Sequence, residues 1–308
     1  MGLLGTTQFY ANVRDAAGTL LSNNVVTWTV ANPALLGVSA IGLVTGLVLG
    51  NSVVEASVDG VTGSAPVTVS STPPQATPGW PNLPAGYRPL ADQSFSTAAS
   101  LTKLWTVLWN DANLGAIVPD SSSPHSPGSV YQMRYPAGFA GGTAPSTVVY
   151  KLGRISHVFV GTWWKASAGW QGHESNVNKI QFLFPPDGNG DLYMTAYGPP
   201  AGPFELRVNL QFPGIESRGW LPPNVDPGRV TMGEWHRIEW LVELNTPGIA
   251  NGVVRWWLDG RLVGDYRDVT FPNLKLDNFK LSPTFGGIGG AKAREDFVWY
   301  DHVFIAWR

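Results

Sequence analysis

The sequence predicts an all-β protein built from two sandwiches, and three observations carry that prediction. Gly (36) and Pro (25) together approach a fifth of the 308 residues. Only 14% are charged, well below the roughly 25% of an average soluble domain. Apolar residues recur with period two over short stretches bounded by turn residues. A helical bundle would need long runs of Ala, Glu, Lys and Leu instead.

The chain divides near residue 72. Residues 1–72 hold four charged residues (Arg14, Asp15, Glu55, Asp59) and one Trp, whereas the rest carries 13 of the 14 Trp. Between them, 73–89 is a Pro-rich linker opening on Pro73-Pro74-Gln75-Ala76-Thr77-Pro78, a run without the periodicity of an element. The domains are therefore 1–72 and 90–308.

In the first, Thr7, Phe9, Ala11 and Val13 alternate, then comes the turn Asp15-Ala16-Ala17-Gly18, then Val26, Trp28 and Val30. Val53, Glu55, Ser57 and Val67, Val69 continue the pattern around an Asp59-Gly60 hairpin turn, which makes a small sandwich. Gly5-Thr6-Thr7-Gln8-Phe9, Val13-Arg14-Asp15-Ala16-Ala17-Gly18, Val26-Thr27-Trp28, Asn32-Pro33, Gly42-Leu43-Val44-Thr45-Gly46 and Gly63-Ser64-Ala65-Pro66-Val67-Thr68-Val69 give residues 3–70 the look of a bacterial Ig-like domain of group 2. That resemblance implies a spacer. It also implies a first edge strand that these residues do not supply, and an open edge is a template for self-association.

In the second domain, strands are expected at 130–135, 158–165, 178–184, 192–197, 205–212, 236–244, 253–258 and 297–307, joined by Pro- and Gly-rich turns. This suits a jelly-roll sandwich. Glu234-Trp235-His236-Arg237-Ile238-Glu239-Trp240, Gly252-Val253-Val254-Arg255-Trp256-Trp257-Leu258-Asp259-Gly260 and Trp299-Tyr300-Asp301-His302-Val303-Phe304-Ile305 are similar to the concanavalin A-like lectin/glucanase superfamily. The resemblance implies the fold and leaves open lectin, hydrolase, lyase and phage structural roles.

Strand alternation sorts the side chains by face. Ile180, Phe182 and Phe184 read as core, against Lys179 and Gln181. Leu206, Val208, Leu210 and Phe212 read as core, against Arg207, Asn209 and Gln211. Leu192, Met194 and Ala196 oppose Tyr193, Thr195 and Tyr197. Tyr131, Met133 and Tyr135 oppose Gln132 and Arg134, and Ile238 and Trp240 oppose Arg237 and Glu239. Trp299, Val303 and Ile305 oppose Tyr300 and His302. The second set is rich in amides, guanidinium groups and aromatic rings, the groups that bind sugar hydroxyls and stack on pyranoses. Gln132, Arg134, Lys179, Gln181, Tyr193, Arg207, Asn209, Gln211, Arg237, Arg255 and Trp257 are accordingly expected to line one saccharide groove.

Polysaccharide binding is thus the first expectation, with a polysaccharide-degrading enzyme or a virion structural protein as alternatives. Glu239 and Glu243 would lie about 13 Å apart along one strand, too far for the carboxyl pair of a glycoside hydrolase. A lyase needs a Tyr or His base and a group that neutralises a uronate, so Tyr193, Tyr197, Tyr300, His302 and Glu239 are the catalytic candidates. Asp187, Asn189 and Asp191 alternate as calcium ligands do, although Asp-Gly and Asn-Gly also favour a plain turn; no other cofactor is expected. Gln171-Gly172-His173-Glu174-Ser175-Asn176 reads as a loop at the groove mouth. A net charge of −2 argues against nucleic acid, and zero Cys excludes thiol chemistry and disulfides. No apolar run is long enough to span a membrane and no signal peptide is visible; from the two resemblances the expected location is extracellular, at the cell surface, or on a virion.

Overall fold

A computed structural model of the chain describes residues 6–9, 11–16, 21, 24–69, 79–97, 101–102, 104–110, 112–125, 128–214 and 219–308. Gly5, Ala17 and Gly18 of the Ig-like motifs and linker residues 73–78 lie outside the described residues. Strand accounts for 53% of the described residues, and no helix is long and apolar enough to cross a membrane among the described residues.

The chain falls into two compact units, Met1–Pro81 and Asn82–Arg308. In the first, β1 (Thr6–Gln8), β4 (Leu43–Gly46) and β3 (Leu36–Val38) form one three-stranded sheet. A second sheet joins β2 (Thr27–Val30), β5 (Gly50–Val58) and β6 (Val61–Val69). Leu36 and Val44 of one pack with Val54, Val67 and Val69 of the other. Asp59 and Gly60 take φ of 51° and 84°, the left-handed pair that a two-residue hairpin between β5 and β6 requires.

The second unit is a sandwich of two eight-stranded antiparallel sheets. The strands follow as β7 (Arg88–Ser94), β8 (Thr106–Trp109), β9 (Gly115–Asp120), β10 (Gly128–Tyr135), β11 (Thr147–Ile155), β12 (His157–Ala166), β13 (Lys179–Phe184) and β14 (Asp191–Tyr197). Then come β15 (Phe204–Gln211), β16 (Trp220–Leu221), β17 (Arg229–Val230), β18 (His236–Glu243), β19 (Gly252–Leu258), β20 (Arg261–Val269), β21 (Leu276–Leu281) and β22 (Asp296–Trp307). The front sheet runs β16-β15-β14-β13-β21-β11-β8, with β17 beside β15. The back sheet runs β20-β19-β18-β12-β22-β10-β9, with β7 beside β22.

One apolar core fills the space between the sheets, from Val158, Trp240, Val254 and Trp256 behind to Leu192, Met194, Val208 and Phe279 in front. Polar bonds also cross this layer. The Trp256 indole N–H donates to Leu206 O at 3.0 Å, the Tyr300 hydroxyl to Ile180 O at 2.6 Å, and the Thr162 hydroxyl to Gln181 Oε1 at 2.8 Å.

Two β-bulges change the alternation read from the sequence. In β13, Lys179 opposes Thr195 but Gln181 opposes Met194, so one extra residue sits at Ile180–Gln181. Ile180 and Gln181 both face inward, and Phe182 and Phe184 turn outward, the reverse of the expected assignment for three of these four residues. In β22, Tyr300 pairs with Trp164 and Val303 with Thr162, which places the extra residue at Asp301–His302. Tyr300, Val303 and Ile305 therefore share the core, while Trp299 faces outward.

Candidate functional site

The residues expected to line one groove are divided among three places. Gln132, Arg134, Arg237, Glu239, Arg255, Trp257 and His302 belong to the back sheet and alternate with its core residues, so they occupy its outer face. There most are engaged with neighbours. Arg134 pairs with Glu295 at 3.0 Å, Arg255 pairs with Asp265 at 2.8 Å, and Trp257 lies under Arg255. Glu239 is fully buried, accepting from Asn82 Nδ2 at 2.8 Å and Arg237 Nε at 3.2 Å, and burial raises its carboxyl above the usual range. His302 bonds to Asp92 and packs its ring 4.2 Å from that of His125. Gln181 and Tyr300 lie between the sheets, both fully buried. A single concavity holding all of them is thus corrected by the structure: a sequence shows which face of a strand is polar, not which sheet the strand joins.

What remains is coherent. Lys179, Tyr193, Tyr197, Arg207, Asn209 and Gln211 share the outer face of the front sheet. Lys179, Tyr193, Asn209 and Gln211 line a cavity of about 320 Å³ with Ser175, Val177, Trp220, Gly286 and Gly287. The cavity crosses the strands from β13 to β16. Tyr193 and Asn209 are cross-strand partners, and the Asn209 amide donates to the Tyr193 hydroxyl oxygen at 2.7 Å. That bond uses the phenol oxygen as an acceptor, and Asn209 Oδ1, though buried, has no donor among the described residues. Lys179 stands one strand over, its Nζ 4.6 Å from the Tyr193 ring centroid. The β13 bulge sets this approach, since it staggers Lys179 to the level of Thr195 while Phe182 lies level with Tyr193.

Behind Tyr193 sits a satellite apolar cluster of Val177, Phe182 and Tyr193 with Phe184 and Tyr197 against it. This apolar floor explains the electrostatics. Burial pushes the Tyr193 phenol up to about 12 and holds the Lys179 ammonium below its ordinary range. Burial also pushes Asp191 up to about 6, with Lys179 and Lys280 pulling it back. Lys280 stands on β21 with its Nζ 3.8 Å from the Phe184 ring centroid, and burial lowers it too. At the rim, Trp220 is exposed and meets the edges of Tyr197 (5.4 Å) and Tyr193 (6.3 Å), while the Arg207 guanidinium covers the Tyr197 ring at 4.0 Å.

The sequence reading passed over Lys280, Trp220 and the Gly286–Gly287 turn. The loop read at the groove mouth does bring Ser175 to the cavity, because His173 is buried and anchors it: Nδ1 meets Ser175 Oγ and Nε2 meets Gly289 O, each at 2.8 Å. In the stretch read for calcium, Asp187 Oδ1 accepts from Asn189 N at 3.1 Å and so closes a turn, whereas Asp191 faces the lysines from β14. Among the described residues no group of three or more His, Asp or Glu side chains is arranged to hold a metal.

Fold and face together describe a jelly-roll sandwich with an open polar and aromatic cavity on its front sheet. No protein-family model and no curated protein sequence matches the chain. Among solved structures it is similar to an endo-β-1,4-glucuronan lyase from the fungus Trichoderma reesei, at 18% identity and a TM-score of 0.52 over 72% of this chain and 96% of that one. It is also similar to a marine alginate lyase from Aplysia kurodai (15%, TM-score 0.52, 71% and 98%). A third similar structure is an alginate lyase from a Chlorella virus (13%, TM-score 0.51, 72% and 100%). The likeness is one of fold.

Proposed function

We propose that the protein is a polysaccharide lyase that cleaves a uronate-containing polymer by β-elimination on the front sheet. The observation that carries this reading is the Lys179–Tyr193–Asn209 arrangement. Two titratable groups lie side by side with their proton affinities displaced in opposite directions. The lysine is biased to its neutral, proton-accepting form, and the tyrosine is held protonated. In the proposed reaction the Lys179 amine takes the proton alpha to the uronate carboxylate. The C5–H bonding pair becomes the new C4=C5 double bond, the C4–O glycosidic bond breaks, and the Tyr193 hydroxyl protonates the departing oxygen. Gln211 and Lys280 offer donors to the carboxylate as charge builds on it.

The similar structures include lyases of glucuronan and alginate, which supports catalysis over binding alone. Binding without cleavage is the second reading, favoured by the exposed Trp220 at the rim, a surface on which a pyranose can stack. A polymeric substrate would be met outside the cell or on a virion surface.

The test is the ultraviolet absorbance of the unsaturated uronate released from glucuronan, alginate and hyaluronan. The wild type is expected to generate it from at least one polymer, and Lys179→Met to lose it by about 10²–10⁴-fold. Arg134→Ala, on the other sheet, is expected to keep the wild-type rate. Polymer that retards the protein in a gel without being cleaved would replace the lyase with the binding reading.

A further inference from the structure

We propose that Ser175 and Gly287 form a subsite for an unsubstituted sugar hydroxyl, so that the groove acts on uronate polymers with that hydroxyl free and rejects those esterified there. The inference rests on the front-sheet lyase reading and narrows its substrate class.

The buried ring of His173 fixes the direction in which Ser175 bonds. Gly289 O can only accept, so its 2.8 Å contact with Nε2 places a proton on that nitrogen. Nδ1 accepts the Ser175 backbone N–H at 3.0 Å and so carries none. The Ser175 hydroxyl, 2.8 Å from the same Nδ1, therefore donates to it. Turning the ring over would set carbons against both partners. The ring is also confined: a Cβ on Gly286 would stand 1.9 Å from its Cγ, and one on Gly141 2.6 Å from Nε2.

With its proton turned inward, Ser175 offers only lone pairs to a ligand. It is exposed and lines the cavity together with Lys179, so a sugar can reach it. Gly287, also in the lining, is its neighbour: a Cβ there would stand 4.0 Å from Ser175 Oγ. The Gly287 N–H has no acceptor among the described residues. An acceptor and a donor side by side match a hydroxyl, which can both donate and accept. An ester, ether or carboxylate oxygen accepts only and leaves Ser175 unmatched.

The subsite hangs from the residue that precedes Lys179. Asn178 Oδ1 accepts from the His173 N–H at 3.1 Å and from the Trp170 indole at 3.2 Å, and its amide donates to Ala196 O at 3.1 Å. The hydroxyl that is read thus lies within one sugar of the proton that Lys179 takes.

The experiment uses glucuronan, alginate and hyaluronan, each before and after O-acetylation with acetic anhydride. Release of unsaturated uronate, retardation in polymer-containing gels and release of acetate are all read. The wild type is expected to favour the free form of the polymer it cleaves, in kcat/KM and in affinity. Ser175→Ala, an exposed substitution, is expected to shrink that preference by about three- to tenfold, the equivalent of one hydrogen bond. Ser175→Thr, which keeps the hydroxyl, is expected to retain it. A wild type indifferent to acetylation, or an undiminished preference in Ser175→Ala, overturns the inference. So does acetate released by the wild type and not by Ser175→Ala, which would make Ser175 a nucleophile. If no polymer is cleaved but the retardation preference responds to Ser175→Ala, the lyase reading falls and the hydroxyl subsite stands. If no polymer is cleaved or retarded, both fall.

Discussion

Tyr193→Phe is expected to lower turnover on a uronate polymer by about 10²–10⁴-fold while leaving the fold intact, the range lost when a positioned general acid is removed. The substitution deletes one oxygen and keeps the ring, so the packing of Tyr193 against Phe182 and Trp220 is retained. The Asn209 amide loses its acceptor at a place where a carbohydrate hydroxyl can replace it. KM should therefore change less than kcat, which separates an acid catalyst from a binding residue. The pH profile adds a second readout. Lys179 must be neutral to accept a proton, so the wild-type rate rises with pH toward the lysine's lowered titration. Tyr193 must stay protonated, and with its phenol near 12 it does so throughout the accessible range. A profile that falls between pH 7 and 9 would exclude this assignment of roles.

Trp256→Ala is expected to cost about 3–5 kcal/mol of stability, the range for removing a large buried aromatic, and to lower Tm by roughly 10 °C. Trp256 is wholly buried on β19, lies parallel to Tyr266 with ring centroids 5.9 Å apart, and crosses the core to donate to Leu206 O on the opposite sheet. Its ring occupies the space above Gly264, where an added Cβ would stand 2.0 Å from the indole. Truncation leaves a cavity and an unpaired carbonyl between the sheets. Trp256→Phe fills most of the cavity but not the hydrogen bond, so about 1–3 kcal/mol of the loss should remain. Urea unfolding of both variants checks the order; a Trp256→Phe protein as stable as the wild type would mean that the indole N–H contributes nothing.

Much of this architecture was legible because most of the eight expected strands alternate cleanly. Those expected at 192–197 and 205–212 are found at Asp191–Tyr197 and Phe204–Gln211 with the expected faces outward. The strands passed over are those whose pattern is broken by charge or length, such as β20 with Arg261, Asp265, Arg267 and Asp268, or the two-residue β16 that carries Trp220. The site was half legible. Residue type pointed correctly to Lys179, Tyr193, Asn209 and Gln211 as outward-facing, but period-two reasoning cannot see an inserted residue, and so it misplaced Gln181 and Tyr300. Nor does a single strand announce its sheet, which is why Arg134, Arg237 and His302 were grouped with residues on the far side of the core. Lys280 was hidden for a related reason: β21 is short, and Asp277-Asn278 interrupts its apolar rhythm.

The extra residue in β13 also acts as a lock on the strand's phase. Before it, Lys179 faces out; after it, Phe182 and Phe184 do, and the two inward residues at the step, Ile180 and Gln181, meet the core and the Thr162 hydroxyl respectively. Sliding β13 by one position against β14 would drive Lys179 into apolar packing and strand Gln181 without its partner. Both penalties act together, so the lysine's height above the Tyr193 ring is fixed by the mechanical impossibility of a half-step rather than by any contact that the lysine makes itself. Deleting Gln181 should remove the inserted residue and its bond to Thr162 while leaving Lys179, Phe182 and Phe184 facing outward, so the cost falls on the lost polar contact and not on the phase of the strand.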